Sequence, residues 1–416
     1  MRRSRSLLFT RREGTGHSNE TVELAHRAGL IRQFGSGLYG MTPTGQQVRA
    51  RLISHIKREM DDIGGQLVSL PALNYSRIWK QSGRWGSWEG EMFTFENRDD
   101  KQMCLAPSHE EGIVHLVDGH IRSHQDLPLL LYQIEAKYRD DHARNGLLRM
   151  KEFTMKDAYS LHVSEDSLTQ WYNRIRDAYY RIFDALDLEY VVTAADNNIM
   201  GGQTSEEFIA LAQTGTVSVR YCPAERCEFG VSDESPRSEL TAGDCCPECG
   251  NELVESDGIE IGHVFKLGTH YSQAMDLTVD TSDGGTTPVV MGSYGIGVDR
   301  LIHTLIEQQR DEHGCRWPGT EDQSMAPFTA SIIPLAYEGE LKHVADRIYE
   351  TVGEHALLFD DPDQTIGERF AESDLLGIPW KIILGNHYLE EGTIEVESRA
   401  GDSRYVEIEQ ISNIVE

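Results

Sequence analysis

The feature that most constrains the fold is a polar segment between two strand-like runs, from Tyr132 to Ser160. Its loop carries Arg139, Arg144 and Arg149 among acidic residues, within the length of one hairpin. Guanidinium groups bind phosphate oxygens through paired hydrogen bonds, and the ends of β-strands hold such side chains rigidly. The pattern therefore predicts a strand–loop–strand unit that binds a triphosphate.

Acidic side chains dominate the composition: 68 Asp and Glu residues face 39 Lys and Arg residues, for a formal net charge of −29. Such a surface suits a protein that works in concentrated salt, which screens its self-repulsion. An ordinarily acidic protein from a low-salt cell is the alternative. A net charge of this sign generally opposes nucleic-acid binding, which needs local positive charge. Any RNA-binding function must therefore be argued from motifs.

The length of 416 residues allows two or three domains. The sequence contains no apolar run of about 18 residues, so no membrane span is predicted. The basic N-terminus, MRRSRSLLF, has too short an apolar segment for a signal peptide. We therefore expect a cytoplasmic protein.

The residue patterns also predict an order of elements. Two helices between residues 17 and 64 flank a Gly/Thr turn region at 34–45, and a strand follows that ends at Pro71. A hairpin around 97–100 leads to the acidic SHEE segment, and a capped helix begins at Ser164. An apolar strand, a glycine-rich turn and a helix that carries Arg300 follow. Beyond a linker near Trp317, strands and helices alternate as in a small α/β module.

Five of the seven cysteines lie within one short segment. Cys222 and Cys227 form one pair, and Cys246 and Cys249 form a second, which is the spacing of a tetrahedral four-thiolate zinc site. Cys245 is an alternative to Cys246, and a redox-inert cluster is the alternative to a metal site. Because four thiolates leave no open coordination position, the predicted zinc is structural.

Several long motifs, in one consistent order, resemble those of the class II aminoacyl-tRNA synthetases, specifically the bacterial-type prolyl-tRNA synthetases. The segment 25–45 and the helix that follows it resemble motif 1, Tyr132–Ser160 resembles motif 2, and MGSYGIGVDR at 291–300 resembles motif 3. Other matching stretches are WKQSGRW (79–85), CLAPSHEE (104–111), GGQTSEEF (201–208), EIGHVFKLGTHYS (260–272) and the C-terminal run from LLFDD to GIP (357–379).

The resemblance implies an α+β catalytic domain, built on an antiparallel sheet, over residues 1–325. A C-terminal α/β anticodon-binding-like domain would occupy 326–416. A four-cysteine zinc-knuckle insertion at 216–256 would stand in place of the editing domain that bacterial-type relatives carry. The motif 1 region would form a homodimer.

The resemblance also implies the chemistry: ATP activates proline to prolyl-adenylate, and proline is then transferred to tRNA(Pro). Arg139 and Arg300 would be catalytic, Mg2+ would bridge the ATP phosphates, and Cys222, Cys227, Cys246 and Cys249 would bind zinc. The implied ATP-binding residues are Arg139, Asp141, Arg149, Phe153, Glu260, His263 and Arg300. The implied proline-binding residues are Ser108, Glu110, Arg139 and Phe265.

Four departures from the family pattern stand out. Ser108 replaces the usual Thr, and motif 2 has Asp141 for Glu with a loop about one residue shorter. The editing domain is absent, so hydrolysis of alanyl-tRNA in cis is not expected. A hydrophobic pocket discriminates between substrates that differ by a methylene group by only about 1–3 kcal/mol, so mistakenly activated alanine would need a separate hydrolase. A C-terminal turn that usually contains an arginine reads Asp360-Asp361-Pro362.

Two alternatives remain open at this point. The first is an enzyme that activates proline or another amino acid for a non-tRNA acceptor, because residues 326–416 hold 19 acidic and 6 basic side chains. The second is a non-catalytic paralogue, which the presence of Arg139, Arg149, Arg300, Glu110 and His263 disfavours.

Overall fold

The computed structural model describes residues 1–87, 91–195, 200–202, 204–224, 227–233, 235, 237–319 and 324–412, with the side chain of Glu354 left aside. Within these ranges, no helix combines the length and the apolar character that crossing a membrane requires. The GGQTSEEF motif lies within the described residues except at its third position, 203.

The helices alternate with strands along the chain. They are α1 (Glu20–Arg27), α2 (Pro43–Asp62), α3 (Ser76–Gln81), α4 (Glu110–Val117), α5 (Glu165–Asp184), α6 (His270–Ala274), α7 (Val298–Gln309), α8 (Gly339–Val352), α9 (Ile366–Leu376) and α10 (Asn386–Glu391).

The strands fall into a long series before α7 and a short series after it. They are β1 (Ile31–Gly35), β2 (Leu38–Met41), β3 (Gln66–Leu67), β4 (Leu73–Tyr75), β5 (Thr94–Glu96), β6 (Gln102–Leu105), β7 (Leu129–Tyr138), β8 (Glu152–His162), β9 (Tyr190–Ala195), β10 (Thr204–Leu211), β11 (Val217–Tyr221), β12 (Phe229–Ser232), β13 (Val254–Gly268), β14 (Thr278–Asp280), β15 (Thr286–Pro288), β16 (Val290–Gly297), β17 (Ala330–Pro334), β18 (Ala356–Leu358), β19 (Trp380–Leu384), β20 (Ile394–Ser398) and β21 (Ser403–Val406).

The chain divides into two compact units. The larger unit comprises Gly35–Tyr39 and Ile53–Thr304, and the smaller unit comprises Met1–Phe34, Gly40–Leu52 and Leu305–Glu416. The division falls within two helices, α2 and α7. The domain boundary expected between residues 325 and 326 stays a prediction.

A nine-stranded sheet organises the larger unit, in the order β10-β9-β12-β11-β13-β16-β8-β7-β3. Its central strands β13, β16, β8 and β7 pair antiparallel, as expected, whereas β12 with β9 and β3 with β7 are parallel. The register aligns Phe265 with Ser293 and Ser293 with Tyr159. Because side chains at paired positions share a face of the sheet, this row forms part of one wall.

Helices cover the two faces of this sheet. On one face, α4 contributes Ile113 and Val114 to a buried cluster that includes Tyr159 and Phe265. Against another part of the sheet, α5 packs Tyr179 on Phe208 of β10, with ring centroids 5.4 Å apart. Helix α5 begins, as predicted, at Ser164, whose side chain accepts a hydrogen bond from the backbone of Ser167.

The predicted hairpin at the centre of the chain is confirmed. Strand β7 pairs with β8 over its whole length, from Leu129 opposite Leu161 to Tyr138 opposite Glu152. The shorter hairpin around residues 97–100 is also present, with β5 and β6 antiparallel. The arginine-bearing loop of residues 139–151 therefore projects from the end of two long strands.

Three local predictions were wrong. The Gly/Thr region 34–45, expected to be turn, contains the end of β1, all of β2 and the start of α2. The strand expected to run to Pro71 has only the two residues of β3. Beyond them, the backbone N–H of Leu70 donates at 3.2 Å to the side chain of Gln133 instead of to a backbone carbonyl of β7, so the strand does not continue. The glycine-rich segment expected to be a turn is strand β16, which continues directly into α7.

One glycine of β16, Gly292, lies in a closely packed position. A Cβ atom at Gly292 would lie 2.2 Å from the hydroxyl of Tyr294 and 2.9 Å from a methyl carbon of Leu168 in α5. Both separations are far below van der Waals contact, so only glycine allows α5 to lie this close to the strand.

The smaller unit contains a five-stranded sheet in the order β18-β17-β19-β20-β21, with β18, β17 and β19 parallel. The alternating strand–helix prediction is confirmed, although α10 was missed.

The N-terminal segment runs beside β18: Leu358 N donates to Met1 O at 2.9 Å, and Arg2 forms a parallel bridge with Leu358. The side chain and backbone of Ser4 both donate to Asp360, so the basic N-terminus covers part of this acidic module.

Candidate active site

A cavity of about 510 Å3 lies in the larger unit and brings together distant parts of the chain. All ten residues that were expected to bind ATP or proline line it: Ser108, Glu110, Arg139, Asp141, Arg149, Phe153, Glu260, His263, Phe265 and Arg300. Their individual roles stay predictions.

Arg139 lies where β7 ends, and its backbone N–H donates to Lys151 O at 2.9 Å, which extends the hairpin by one residue. Its guanidinium group donates to the carbonyl of Pro107 from Nε at 3.4 Å and from Nη2 at 3.3 Å. The group also lies 5.4 Å from the centre of the Phe153 ring. Burial and the nearby Arg300 lower the pKa of Arg139 from its ordinary value, so two cations share this part of the cavity.

Arg300 lies in the first turn of α7, directly after β16. Its Nη1 atom donates to Glu260 O at 2.8 Å and to Glu260 Oε2 at 2.9 Å, and its Nε donates to Leu148 O at 3.2 Å. Burial raises the pKa of the Glu260 carboxyl, but Arg300 and His263 outweigh that effect and hold this pKa well below its usual range. Glu260 is therefore an anion that orients the arginine.

The loop between β7 and β8 is held by its own ion pairs. Arg149 pairs with Asp141, and Lys151 pairs with Asp140. Asp141 Oδ1 also accepts a hydrogen bond from His142 N at 2.6 Å. The asparagine at the loop's turn, Asn145, adopts a left-handed conformation with φ of 54°, which asparagine tolerates better than most residues.

Two carboxylates and an imidazole form a tight group beside the arginines. His263 Nδ1 lies 3.4 Å from both Glu207 Oε1 and Glu260 Oε1. One ligand atom from each of the three residues lies within 4.8 Å of the others, which is compact enough to hold a metal ion. The His263 ring also stacks on Phe265, with centroids 3.7 Å apart. Glu207 was not predicted to belong to the site, although it lies in the quoted GGQTSEEF motif.

Another part of the cavity is a buried acidic pocket. Glu110, in the first turn of α4, is 1% exposed. Its Oε1 accepts a hydrogen bond from Ser293 Oγ at 3.0 Å, and its Oε2 accepts one from Arg84 Nη1 at 3.1 Å. Arg84 also donates from Nη2 to Ser108 Oγ at 2.9 Å. No role was assigned to Arg84 or Ser293 from the sequence, although both lie in quoted motifs.

The two neighbouring carboxylates of this pocket differ in acidity. Burial favours protonation of Glu110, but Arg84 and the hydrogen bond from Ser108 bring its pKa below the ordinary value. Burial dominates at Glu111, and together with the charge of Glu110 it raises the pKa of Glu111 to about 7 despite Arg84. The pocket therefore holds one firm anion suited to an ammonium group.

The four predicted zinc ligands also come together, beside strands β11 and β12. Cys222 Sγ lies 3.3 Å from Cys249 Sγ, and Cys227 Sγ lies 3.6 Å from Cys246 Sγ. Tetrahedral zinc with bonds of about 2.3 Å separates its sulfur ligands by about 3.8 Å, so the donor set fits the ion. Cys246 belongs to this group of four, whereas Cys245 is exposed and lies outside it.

The chain matches two families of known proteins. Residues 93–309 match the family described as tRNA synthetase class II core domain (G, H, P, S and T), and residues 329–416 match the family described as anticodon binding domain.

Curated relatives match over nearly the full length. A protein from a Wolbachia strain of Drosophila simulans, named proline--tRNA ligase, is 36% identical over 423 residues, with 99% of each chain covered. A protein of the same name from Agrobacterium fabrum is 36% identical over 415 residues, with 93% of each chain covered.

Solved structures share the fold. A prolyl-tRNA synthetase from Cryptosporidium parvum, complexed with halofuginone and AMPPNP, has a TM-score of 0.75 at 15% identity, covering 97% of this chain and 78% of the other. A Giardia lamblia prolyl-tRNA synthetase in complex with prolyl-adenylate has a TM-score of 0.74 at 18% identity, covering 94% and 75%.

The nine-stranded sheet, its cavity and the C-terminal module thus correspond to a class II synthetase catalytic domain and an anticodon-binding domain. The curated relatives share more than one third of their residues with this chain over nearly its whole length, which identifies the family as well as the fold. The chain belongs to the proline--tRNA ligase family of class II aminoacyl-tRNA synthetases.

Proposed function

We propose that this protein activates proline with ATP and transfers it to tRNA(Pro). One arrangement carries the proposal: the buried anion of Glu110 shares a cavity with the guanidinium groups of Arg139 and Arg300. A zwitterionic amino acid has an ammonium group that can bind the anion of Glu110 and a carboxylate that can bind the guanidinium groups. The bacterial relatives named proline--tRNA ligase support the same reaction.

In the first step, an oxygen of the proline carboxylate attacks the α-phosphorus of ATP. The bond from that phosphorus to the bridging oxygen of the β-phosphate breaks, and pyrophosphate leaves with the electron pair. Arg139 binds the carboxylate and the α-phosphate together, which brings the reacting atoms close and offsets the growing negative charge. The carboxylate is already ionised, so the step needs no general base.

In the second step, a hydroxyl of the terminal ribose of tRNA attacks the carbonyl carbon of prolyl-adenylate. The bond between this carbon and the phosphate oxygen breaks, AMP leaves, and the hydroxyl proton passes to the departing phosphate or to water. Ser108, Glu110 and Phe265 hold the proline end during both steps.

The remaining predicted residues bind the nucleotide. Phe153 stacks on adenine, Asp141 accepts a hydrogen bond from the adenine amino group, and Arg149 binds the outer phosphates. Arg300 covers the opposite side of ATP, where Glu260 and His263 line the site. The ion pair between Asp141 and Arg149 supports their placement on one side of the loop.

The carboxylates of Glu207 and Glu260 would hold Mg2+, since this ion prefers oxygen ligands and usually binds through one or two carboxylates and substrate phosphates. The ion would neutralise phosphate charge. Cys222, Cys227, Cys246 and Cys249 would bind a structural zinc ion, for which their sulfur atoms are suitably spaced.

The organisation proposed for the chain follows the family resemblance. Residues 1–325 form the catalytic domain, with the zinc-binding segment 216–256 as an insertion, and 326–416 bind the anticodon region. The protein forms a homodimer through its motif 1 region, acts in the cytoplasm and does not edit alanyl-tRNA in cis. Its net charge of −29 supports activity in concentrated salt.

Transfer to a non-tRNA acceptor was suggested by the 19 acidic against 6 basic residues of 326–416, but the relatives named proline--tRNA ligase do not favour it. ATP–pyrophosphate exchange with each of the twenty amino acids, in multimolar KCl, tests the shared first step. We expect exchange that depends on proline. Exchange with a different amino acid, or with none, would refute the proposal. Charging of tRNA then distinguishes transfer of proline to tRNA from transfer to a non-tRNA acceptor.

A further inference from the structure

Arg84 is a buried cation beside the proline end of the cavity. It follows α3 in the WKQSGRW motif and is 3% exposed. Its guanidinium carbon lies 5.2 Å from the ring centres of both Trp79 and Tyr271. The planar group therefore lies close to two aromatic rings, which is a favourable setting for arginine.

The same guanidinium contacts both residues expected to hold the imino group of proline. Nη2 donates to Ser108 Oγ at 2.9 Å, and Nη1 donates to Glu110 Oε2 at 3.1 Å and to Tyr271 Oη at 2.7 Å. Ser293 binds the other oxygen of Glu110. With a donor on each oxygen, the carboxylate plane of Glu110 is fixed relative to the cavity.

Arg84 also compensates charge in this pocket. Its Nη1 lies 3.4 Å from Glu111 Oε1 as well as 3.1 Å from Glu110 Oε2. Two adjacent buried carboxylates without a cation would repel each other, and one of them would take up a proton. Arg84 is thus the group that allows Glu110 to remain an anion.

We propose that Arg84 is a positioning residue for the amino-acid substrate, which orients Ser108 and Glu110 and keeps Glu110 charged, so that the pocket binds a cationic imino group. This inference rests on the proposed function, because it assigns the pocket to proline. Arg84 would support the side chains that contact the substrate from behind, as preorganised sites generally require.

The proposal predicts a change in pH dependence as well as in affinity. Glu110 must be ionised to bind the imino cation, and removal of Arg84 raises its pKa. The acid limb of kcat/KM for proline therefore moves to higher pH in Arg84 variants. The ionisable groups around Glu110 are Arg84, Glu111, His109, Tyr159, Tyr271 and Arg139. Glu111→Gln tests the neighbouring carboxylate separately, since this change leaves Glu110 and Arg84 paired.

The test is proline-dependent ATP–pyrophosphate exchange by Arg84→Gln and Arg84→Lys in the full chain. We expect KM for proline to rise by about 10- to 100-fold in Arg84→Gln, the loss typical of a buried charged hydrogen bond. Arg84→Lys keeps the charge but loses the paired geometry, so its acid limb should stay nearer that of the unmodified protein. KM for ATP should change by less than about threefold in both.

Arg220→Gln is the matched control. Arg220 is also buried, at 5% exposure, and donates to the carbonyls of Leu240 and Ser238, away from the cavity. Its replacement should reduce thermal stability without raising KM for proline.

If Arg84→Gln does not fold, Arg84→Lys combined with Ser108→Ala decides the matter. The effects of the two changes on KM for proline should be less than additive, because Arg84 acts partly through Ser108. Folded Arg84 variants with unchanged KM for proline and unchanged acid limb would overturn the inference. Absence of proline-dependent exchange in the unmodified protein would instead refute the proposed function.

Discussion

Arg300 Nη1 donates hydrogen bonds to both the carbonyl oxygen and the side-chain Oε2 of Glu260, at 2.8 and 2.9 Å. This double contact connects the long strand β13 to the first turn of α7. Because the arginine follows β16 without a turn, its position is set by the sheet, and its orientation is set by Glu260. The pair therefore presents a rigid cation to the cavity.

Glu260→Gln should weaken ATP binding. The amide keeps a hydrogen-bond acceptor for Arg300 but removes the negative charge that orients the guanidinium and that would hold Mg2+. We expect KM for ATP to rise by about 10-fold or more, with a smaller effect on KM for proline. The control is Glu255→Gln, an exposed position on the same strand. An unchanged KM for ATP would exclude the proposed role of Glu260.

Arg139→Ala should nearly abolish adenylate formation. Arg139 contacts the carbonyl of Pro107 and the ring of Phe153, and in the proposed mechanism its removal would leave the carboxylate and the α-phosphate without their shared partner. Loss of one such donor typically costs 10²- to 10³-fold in rate, and we expect at least that in pyrophosphate exchange. Arg174→Ala, on α5 outside the cavity, is the comparison. Exchange retained near the unmodified rate would rule out this assignment.

Zinc content should depend on Cys246 and not on Cys245. Metal analysis of the purified protein should give about one zinc per chain, and Cys246→Ser should reduce both the metal content and the thermal stability. Cys245→Ser should keep both, because Cys245 is exposed and separate from the other four thiols. Equal zinc loss in the two variants would contradict this ligand set.

Asp346, which pairs with Lys342 and Arg2, should contribute pH-dependent stability. Burial favours the protonated acid, but hydrogen bonds from Lys342, Tyr337 and Arg2 outweigh it and lower the pKa from 3.8 to about 2. The stabilisation is therefore present above about pH 4 and is lost as the pH falls through 2. Asp346→Asn should lower the free energy of unfolding at neutral pH, and the difference should shrink below pH 4.

Asp363→Asn serves as the control for that measurement, because Asp363 is exposed. Denaturant unfolding at several pH values measures the effect. A deficit of Asp346→Asn that stays constant from pH 7 down to pH 2 would show that the ion pairs are not its cause.

Features with local signals were predictable from the sequence. The β7–β8 hairpin follows from two strand-like runs around a polar loop, and the Ser164 cap precedes a clear helical period. Spacing grouped the four cysteines that the structure brings together, and it favoured Cys246 over Cys245 without excluding Cys245. That choice depends on which thiol the chain turns inward before Gly250, where φ is +80°.

Features that depend on long-range packing were missed. Arg84 and Glu110 are 26 residues apart and meet only because α3 and α4 lie together. Glu207 and Glu260 are brought close by the pairing of β10 with β13, which aligns Glu207 with His263. The glycines of β16 were taken for a turn, because a sequence does not reveal that α5 lies against the strand at Gly292.

The central claim is most directly tested by aminoacylation of total tRNA with each of the twenty amino acids, in multimolar KCl. The account predicts that proline alone is attached efficiently, and to tRNA(Pro). It also predicts that the rate falls as salt is removed, because the net charge of −29 is then less screened. Formation of prolyl-adenylate without any charged tRNA, or charging with another amino acid, would contradict it.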